Sequence, residues 1–438
     1  MAIATPPGRG GLGVVRLSGP VSVSVAQILL DRPRDLEPRH ATFCRISGLD
    51  DVVATYFPAP SSYTGDDVVE ISAHGSPVVL EALLLSALAG GARLAAPGEF
   101  TLRAFLHGRL DLIQAEAVAD LIDAATPLQA RAAFDQLEGT LTRRIGEIDR
   151  RLFDLVARLE ASLDFPDEGY HFIQPKELAP ALRAISEEIK ELRSEARHGQ
   201  LIREGATVAI VGRVNAGKSS VFNRLVGAER AIVADRPGTT RDLVTERVDV
   251  AGLSITFADS AGFRFSEDHV EREGVERSRG ALRVAAAAIV VLDGSEPLED
   301  HDHAVLNLTV GQVRVVVANK ADLEPAWADS SVGAATTLRV SARTGEGFDE
   351  LRRILGRSLG QGEAARDTVA ISNVRHARLL EVAGESVAAA EAAVEGGAPE
   401  ECVVSDLQGA QRALEEVTGK RTSDDLLRHI FGRFCIGK

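Results

Sequence analysis

The apolar run "TVAIV" (Thr207 to Val211) passes without a break into "GRVNAGKSS" (Gly212 to Ser220), and a helix-like "SVFNRLVG" follows. The loop matches G-x-x-x-x-G-K-[ST] between a strand and a helix, the context in which that spacing cradles phosphate. Gly212 and Gly217 let backbone N–H groups curl around an anion at a helix N-terminus. Lys218 supplies a point charge to the β- and γ-phosphates, and the Ser219 hydroxyl is a hard oxygen ligand suited to Mg²⁺. A strand that feeds such a loop belongs to a parallel sheet with crossover helices.

The surrounding residues keep that grammar. "LSITFADS", "AAAAIVVLDG", "VRVVVANK" and "TLRVSA" are apolar β-type runs separated by helix-like segments, the pattern of a sheet covered on both faces. "DSAG" (Asp259 to Gly262) ends one run, where an aspartate can hold Mg²⁺ through water and the Gly262 N–H can meet a γ-phosphate. "NKAD" (Asn319 to Asp322) ends another. The Asp322 carboxylate can accept from the N1–H and 2-amino group of guanine; adenine would leave it unpaired, at a high cost. "SAR" (Ser341 to Arg343) follows the last run, where a backbone N–H can meet guanine O6. In this order the motifs resemble those of Ras-like GTPases, so the expected nucleotide is GTP. The residue after Gly262 is Phe263, which cannot orient an attacking water as a glutamine would. That group, and a counter-charge for the leaving phosphate, must come from elsewhere: an arginine such as Arg241 or Arg264, or a second cation.

Around this α/β segment the composition changes. Residues 1–110 read as a mixed α/β domain, with β-rich "GLGVVRLSG" and "DDVVEISAHG" and an apolar helix ended by Gly90 and Gly91. Residues 111–204 are rich in Ala, Leu, Glu and Arg with apolar residues at helical spacing, Ile145, Ile148, Leu152, Leu155, Val156 and Leu159 among them. Pro127 is expected to divide the first stretch into two helices. Helical character returns over 362–438. The expected architecture is multidomain: an α/β N-terminal domain, a discontinuous α-helical domain, and a Ras-like α/β P-loop GTPase domain (205–361) inserted into it. Cys44, Cys402 and Cys435 form no C-x-x-C pair, which fits a reducing cytoplasm. The net charge of −15 disfavours a protein that coats nucleic acid through a broad basic face, and there is no apolar run long enough for a membrane span.

"ATPPGRGGLGVVRLSG", "SYTGDDVVEISAHG", "APGEFTLRAFLHGRLDLIQAEAVADLI", "LDFPDE", "ADRPGTTRD", "DSAGFRFSEDHVEREGVERS" and the terminal "FCIGK" together resemble the TrmE family of tRNA-modification GTPases, within the TrmE/Era-like P-loop superfamily. The resemblance runs through every domain. It implies nucleotide contacts at Asn215, Ala216, Gly217, Lys218, Ser219 and Ser220, at Ala234, Asp235, Arg236, Pro237, Gly238, Thr239 and Thr240, and at Asp259, Ser260, Ala261 and Gly262. Asn319, Lys320, Ala321 and Asp322, with Ser341, Ala342 and Arg343, complete the set. It further implies Mg²⁺ on Ser219 and Thr240, and K⁺ on Asn215, Ala234, Arg236 and Thr239. Glu271 matches the family's catalytic glutamate; without the resemblance it reads equally as a solvated surface carboxylate. Ser260 stands where the family mostly has Thr, and Ala234 offers no side-chain oxygen.

By the same resemblance, a homodimer is expected, with 5-formyltetrahydrofolate or a related one-carbon tetrahydrofolate held by Arg16, Glu70, Arg109 and Lys438. On their residues alone, Arg16 and Glu70 read equally as a structural salt bridge. Cys435 reads as a thiol of the modification step, or as a buried or redox-sensitive cysteine. The implied reaction adds an aminomethyl or carboxymethylaminomethyl group at C5 of the wobble uridine of certain tRNAs, with the FAD-containing partner MnmG. Two rival readings stand beside it: a regulatory switch or scaffold with negligible turnover, and a ribosome-assembly GTPase of the Era or Der type. The latter calls for a basic RNA-binding appendage or a second GTPase domain, and neither is evident. The chain starts close to "ATPPGRGG", where family members carry a few more residues, so a shortened N-terminal edge is expected.

Overall fold

The computed structural model describes residues 1–30, 35–164, 173–227, 247–259, 279–328, 332, 337–360 and 371–438, the side chains of Pro175, Arg197 and Asp259 excepted. The chain forms two compact units, one of residues 1–119, 136–186 and 379–438, the other of 120–135 and 187–378.

The first unit opens with strands β1 (Ala2–Ile3), β2 (Gly10–Ser18), β3 (Thr42–Ile46), β4 (Asp50–Phe57) and β5 (Val68–Gly75). They form an antiparallel sheet in the order β1-β2-β5-β4-β3. Helices α1 (Ser22–Leu29) and α2 (Pro77–Ala89) cover one face. The period-2 alternation of β2 and β5 buries Val15, Leu17, Val69, Ile71 and Ala73 against Val25, Leu29, Leu80 and Leu83. Each such large aliphatic side chain contributes about 1.5–3 kcal/mol of burial. The α2 helix has Pro77 at its first position and stops at Gly90, as the sequence indicates.

Next along the chain come α3 (Glu99–Leu106), α4 (Leu112–Asp123), α5 (Pro127–Leu137), most of which belongs to the second unit, and α6 (Thr140–Asp164). Pro127 does divide the helical stretch, but a second break follows. Gly139, at φ +80°, separates α5 from α6, so the stretch holds three helices and not two. The α6 stripe Leu141, Ile145, Ile148, Leu152, Leu155 and Leu159 is buried. It packs against α12 (Glu400–Thr418), which follows α11 (Val374–Glu395). In α13 (Asp424–Phe431) the Ser423 hydroxyl caps the Leu426 N–H at 3.3 Å, Asp424 and Asp425 open the helix, and Arg428 and His429 close it. Phe431 and Phe434 pack with Phe105, Leu112 and Ala115, which anchors the C-terminal tail to α3 and α4.

Helix α7 (Pro175–Glu204) begins in the first unit and ends in the second, where it leads into β6 (Ala206–Val211), followed by α8 (Lys218–Gly227), β7 (Arg247–Val250), β8 (Leu253–Asp259) and β9 (Ala287–Asp293). Then come α9 (Asp300–Leu308), β10 (Arg314–Asn319), β11 (Thr337–Arg339) and α10 (Phe348–Ser358). The strand order is β11-β10-β9-β6-β8-β7. All pairings are parallel except β7 with β8, which form a hairpin across Ala251 and Gly252, both at positive φ. That antiparallel edge strand departs from the all-parallel expectation. The central strand β9 is buried along its whole length, as a strand covered on both faces must be.

Candidate functional site

Crevices outside the C-terminal ends of parallel strands are where open α/β sheets bind ligands. Here the ends of β6, β9, β10 and β11 bring four loops together. The phosphate loop leaves β6 and delivers Lys218 as the first residue of α8, so the loop sits on a helix N-terminus. Asn215 and Gly217 hold positive φ, +64° and +93°. A Cβ at Gly217 would lie 2.1 Å from Asn319 Nδ2, so no other residue fits there. Lys218 Nζ donates to the Arg213 carbonyl at 2.7 Å. Asn215, Ser219 and Ser220 are exposed.

Asn319 ties the loops to one another. It is 2% exposed, its Nδ2 donates to the Ala216 carbonyl at 3.1 Å, and its Oδ1 accepts the Ala342 N–H at 3.1 Å. One side chain thus joins the phosphate loop, the "NKAD" turn and the "SAR" loop. The Ser341 hydroxyl donates to Asp322 Oδ1 at 2.6 Å, and Arg343 lies 3.6 Å from Asp322 Oδ2. The Ser341 bond holds the Asp322 carboxyl below the usual carboxylate range. Asp322 is therefore ionised at neutral pH, the state that accepts two hydrogen bonds.

Two clusters escaped the sequence reading. The Arg213 guanidinium is shared by Glu296, Glu299 and Asp302, the last two at 3.0 and 3.4 Å. With these carboxylates on it, Arg213 is committed to the fold and is not a spare cation for a developing phosphate charge. Asp293, at the end of β9, binds Lys320. No local pattern signals either cluster, because both depend on β9 lying between β6 and β10.

The sheet of the first unit carries a second constellation. Arg16 and Glu70 are cross-strand neighbours on β2 and β5, with Nε 2.8 Å from Oε1. Arg16 Nη1 donates to the Gly437 carbonyl at 3.3 Å, and the guanidinium lies 5.6 Å from the Tyr63 ring centroid and 5.5 Å from that of Phe100. The tail is ordered: Phe100 N–H donates to the Lys438 carbonyl at 3.1 Å and Gly98 N–H to the Cys435 carbonyl at 3.4 Å. Gly437, at φ +101°, allows the close pass, since a Cβ there would lie 2.3 Å from the Ile3 carbonyl oxygen. Arg16, Glu70 and the Lys438 backbone are thus brought together, with Tyr63 and Phe100 added. Arg109 is exposed, and no described hydrogen bond or ion pair joins it to the other three. Cys435 is exposed rather than buried.

The family model described as "GTP-binding protein TrmE N-terminus" matches residues 1–109, and that of the "MnmE helical domain" matches 112–435. A tRNA modification GTPase MnmE of Koribacter versatilis is 43% identical over 448 residues, covering 100% of this chain and 98% of that one. One from Thiobacillus denitrificans is 43% identical, covering 100% and 97%. The chain belongs to the MnmE family of tRNA modification GTPases.

As an MnmE family member it is a GTP-hydrolysing enzyme. Among solved structures, an Era variant of Aquifex aeolicus bound to GDP and aluminium fluoride is 24% identical and covers 41% of this chain and 66% of that one, with a TM-score of 0.28. The G domain of the Thermotoga maritima FeoB iron transporter is 23% identical, covers 35% and 98%, and has a TM-score of 0.25. Several residues that the sequence singles out lie outside the described residues: Ala234, Asp235, Arg236, Pro237, Gly238, Thr239, Thr240, Arg241, Ser260, Ala261, Gly262, Phe263, Arg264 and Glu271, with the Asp259 side chain. Among the described residues no helix is long and apolar enough to cross a membrane.

Proposed function

We propose that this chain is a GTPase switched on by potassium-dependent dimerisation of its GTP-binding domains. It works in the cytoplasm as a homodimer with the FAD-dependent partner MnmG. Together they add a carboxymethylaminomethyl or aminomethyl group at C5 of the wobble uridine of certain tRNAs. Full-length similarity to proteins named tRNA modification GTPases carries this reading. Asn319, which ties the phosphate loop to the base motif, supports the nucleotide half of it. The domains in this reading are 1–110 for dimerisation and folate, 111–204 and 362–438 for the helical part, and 205–361 for GTP.

The described donors, Ser219 and Asn215, suit the ions. Ser219 exposes a hydroxyl at the start of α8 and, with Thr240, would hold Mg²⁺; Asn215 exposes an amide and, with Ala234, Arg236 and Thr239, would hold K⁺. Bound there, the cations would neutralise charge that builds on the transferring phosphate. The chain's own residues orient the nucleotide: the α8 N-terminus and Lys218 hold the phosphates, Asp322 reads the base, and Glu271 polarises the attacking water through a second water. Arg16, Glu70, Arg109 and Lys438 would hold the folate, the arginines matching its glutamate carboxylates.

GTP turnover compared in KCl and NaCl at equal ionic strength tests the proposal. Faster hydrolysis in KCl, abolished by Glu271→Ala with GDP binding intact, is the expected result. Equal rates in the two salts overturn the dimerisation mechanism.

A further inference from the structure

Asp293 closes β9 directly beside Asn319, its partner in the parallel register with β10. Its side chain is 2% exposed, yet both oxygens are engaged. Oδ2 lies 2.5 Å from Lys320 Nζ, while Oδ1 accepts from the Ser295 N–H at 2.9 Å and from the Ser295 hydroxyl at 2.6 Å. Burial pushes this carboxyl up, and the bonds from Lys320 and Ser295 more than offset it, leaving its pKa below the ordinary value. A buried charge with this complement of donors is tolerated.

Lys320 needs an anchor. It is a non-glycine residue at φ +65°, in the left-handed region, a strained conformation that persists only where the surroundings impose it. The main chain around it is pinned on each side. Gly294 N–H donates to the Asn319 carbonyl at 2.8 Å, Ala321 N–H to Val340 O at 2.9 Å, and Leu323 N–H to Lys320 O at 2.9 Å. The side chain of Lys320 is held by Asp293. Two residues further on stands Asp322, the carboxylate read as the base selector.

We propose that Asp293 is a positioning residue for guanine-nucleotide binding, its Ser295-braced carboxylate clamping the Lys320 ammonium and so fixing the turn that presents Asp322 to the base. The inference rests on the reading of residues 319–322 as the base-binding motif. It extends the site to a residue outside every nucleotide motif in the sequence. A built-in reporter sits on it: the chain's one tryptophan, Trp327, donates Nε1–H to the Asp293 carbonyl at 2.8 Å.

The test uses the full chain, its Asp293→Asn, Ser295→Ala and Lys320→Met variants, and the Asp293→Asn/Lys320→Met double variant. Release of N-methylanthraniloyl-GDP is followed by label and by Trp327 fluorescence, beside single-turnover hydrolysis at saturating GTP and thermal midpoints. Asp293→Asn is expected to speed GDP release about tenfold and raise KM for GTP with little change in kcat. The double variant should be no worse than the stronger single one, as coupled residues require. Ser295→Ala, which keeps the ion pair, should give a smaller acceleration and covers the case in which Asp293→Asn does not fold. Unchanged GDP release in Asp293→Asn, or in Ser295→Ala if only that variant folds, overturns the inference. So do multiplying effects in the double variant, which mark two residues acting independently rather than as a clamp. A parent chain that holds GDP no better than ADP overturns the nucleotide-site reading itself, a failure visible before any variant is made.

Discussion

Arg16 on β2 pairs with Glu70 on β5 at 2.8 Å and, with a second guanidinium nitrogen, binds the Gly437 carbonyl at 3.3 Å, so one side chain joins the first sheet to the end of the chain. The pair is largely shielded, with side chains 16% and 29% exposed. The same guanidinium lies near two aromatic rings. "FCIGK" is therefore an ordered part of this face, its last residue held through the Lys438 carbonyl by the Phe100 N–H.

Arg16→Ala should release the tail. It leaves the Glu70 carboxylate and the Gly437 carbonyl without a charged donor, at a cost of about 1–3 kcal/mol. Urea denaturation should show a lower midpoint, and amide exchange at residues 433–438 should quicken. Unchanged exchange there would show that the Phe431 and Phe434 packing alone seats the tail.

Glu99 predicts an acid-sensitive step in the same unit. Its carboxylate opens α3 and accepts from Arg93 at 2.6 Å, the Ala96 N–H at 2.9 Å and Arg103 at 2.8 Å. The Arg93 bond leads in lowering its pKa from 4.5 to about 2, against the push of burial. A depressed carboxylate contributes its full stability above the unfolded value and loses it as pH falls through the folded one. Stability should thus decline between about pH 4.5 and 2. A Glu99→Gln variant should start less stable at neutral pH and fall less over that window, as read by denaturant midpoints at each pH.

Asn319→Ala should loosen the nucleotide site more than it harms the fold. The change strips partners from the Ala216 carbonyl and the Ala342 N–H, each worth about 1–3 kcal/mol when left unsatisfied. GDP affinity should drop by at least about tenfold, measured by calorimetry, while far-UV dichroism stays unchanged.

The nucleotide motifs were legible because each is local. "GRVNAGKSS" needs only a strand before it and a helix after it, and β6 and α8 supply both. "NKAD" and "SAR" likewise sit at strand ends. The β7 strand escaped notice because "RVDV" is four residues long and half polar. The break at Gly139 was hidden by a stretch that is helix-forming on either side. Asp293 with Lys320 and Arg213 with its three carboxylates were beyond reach for a different reason. They join residues that only the order β10-β9-β6 makes neighbours, and register is a property of the sheet rather than of any one strand.

The base-selecting role of Asp322 is tested most directly by binding of GTP and xanthosine triphosphate to the Asp322→Asn variant. An amide in place of the carboxylate can donate to a 2-keto group but no longer accepts both donors of guanine. The expected result is a loss of GTP affinity of at least about a hundredfold with a gain in xanthosine triphosphate binding. GTP affinity equal to that of the parent chain would contradict the assignment of Asp322, and with it the guanine site built on Asn319, Lys320 and Ser341.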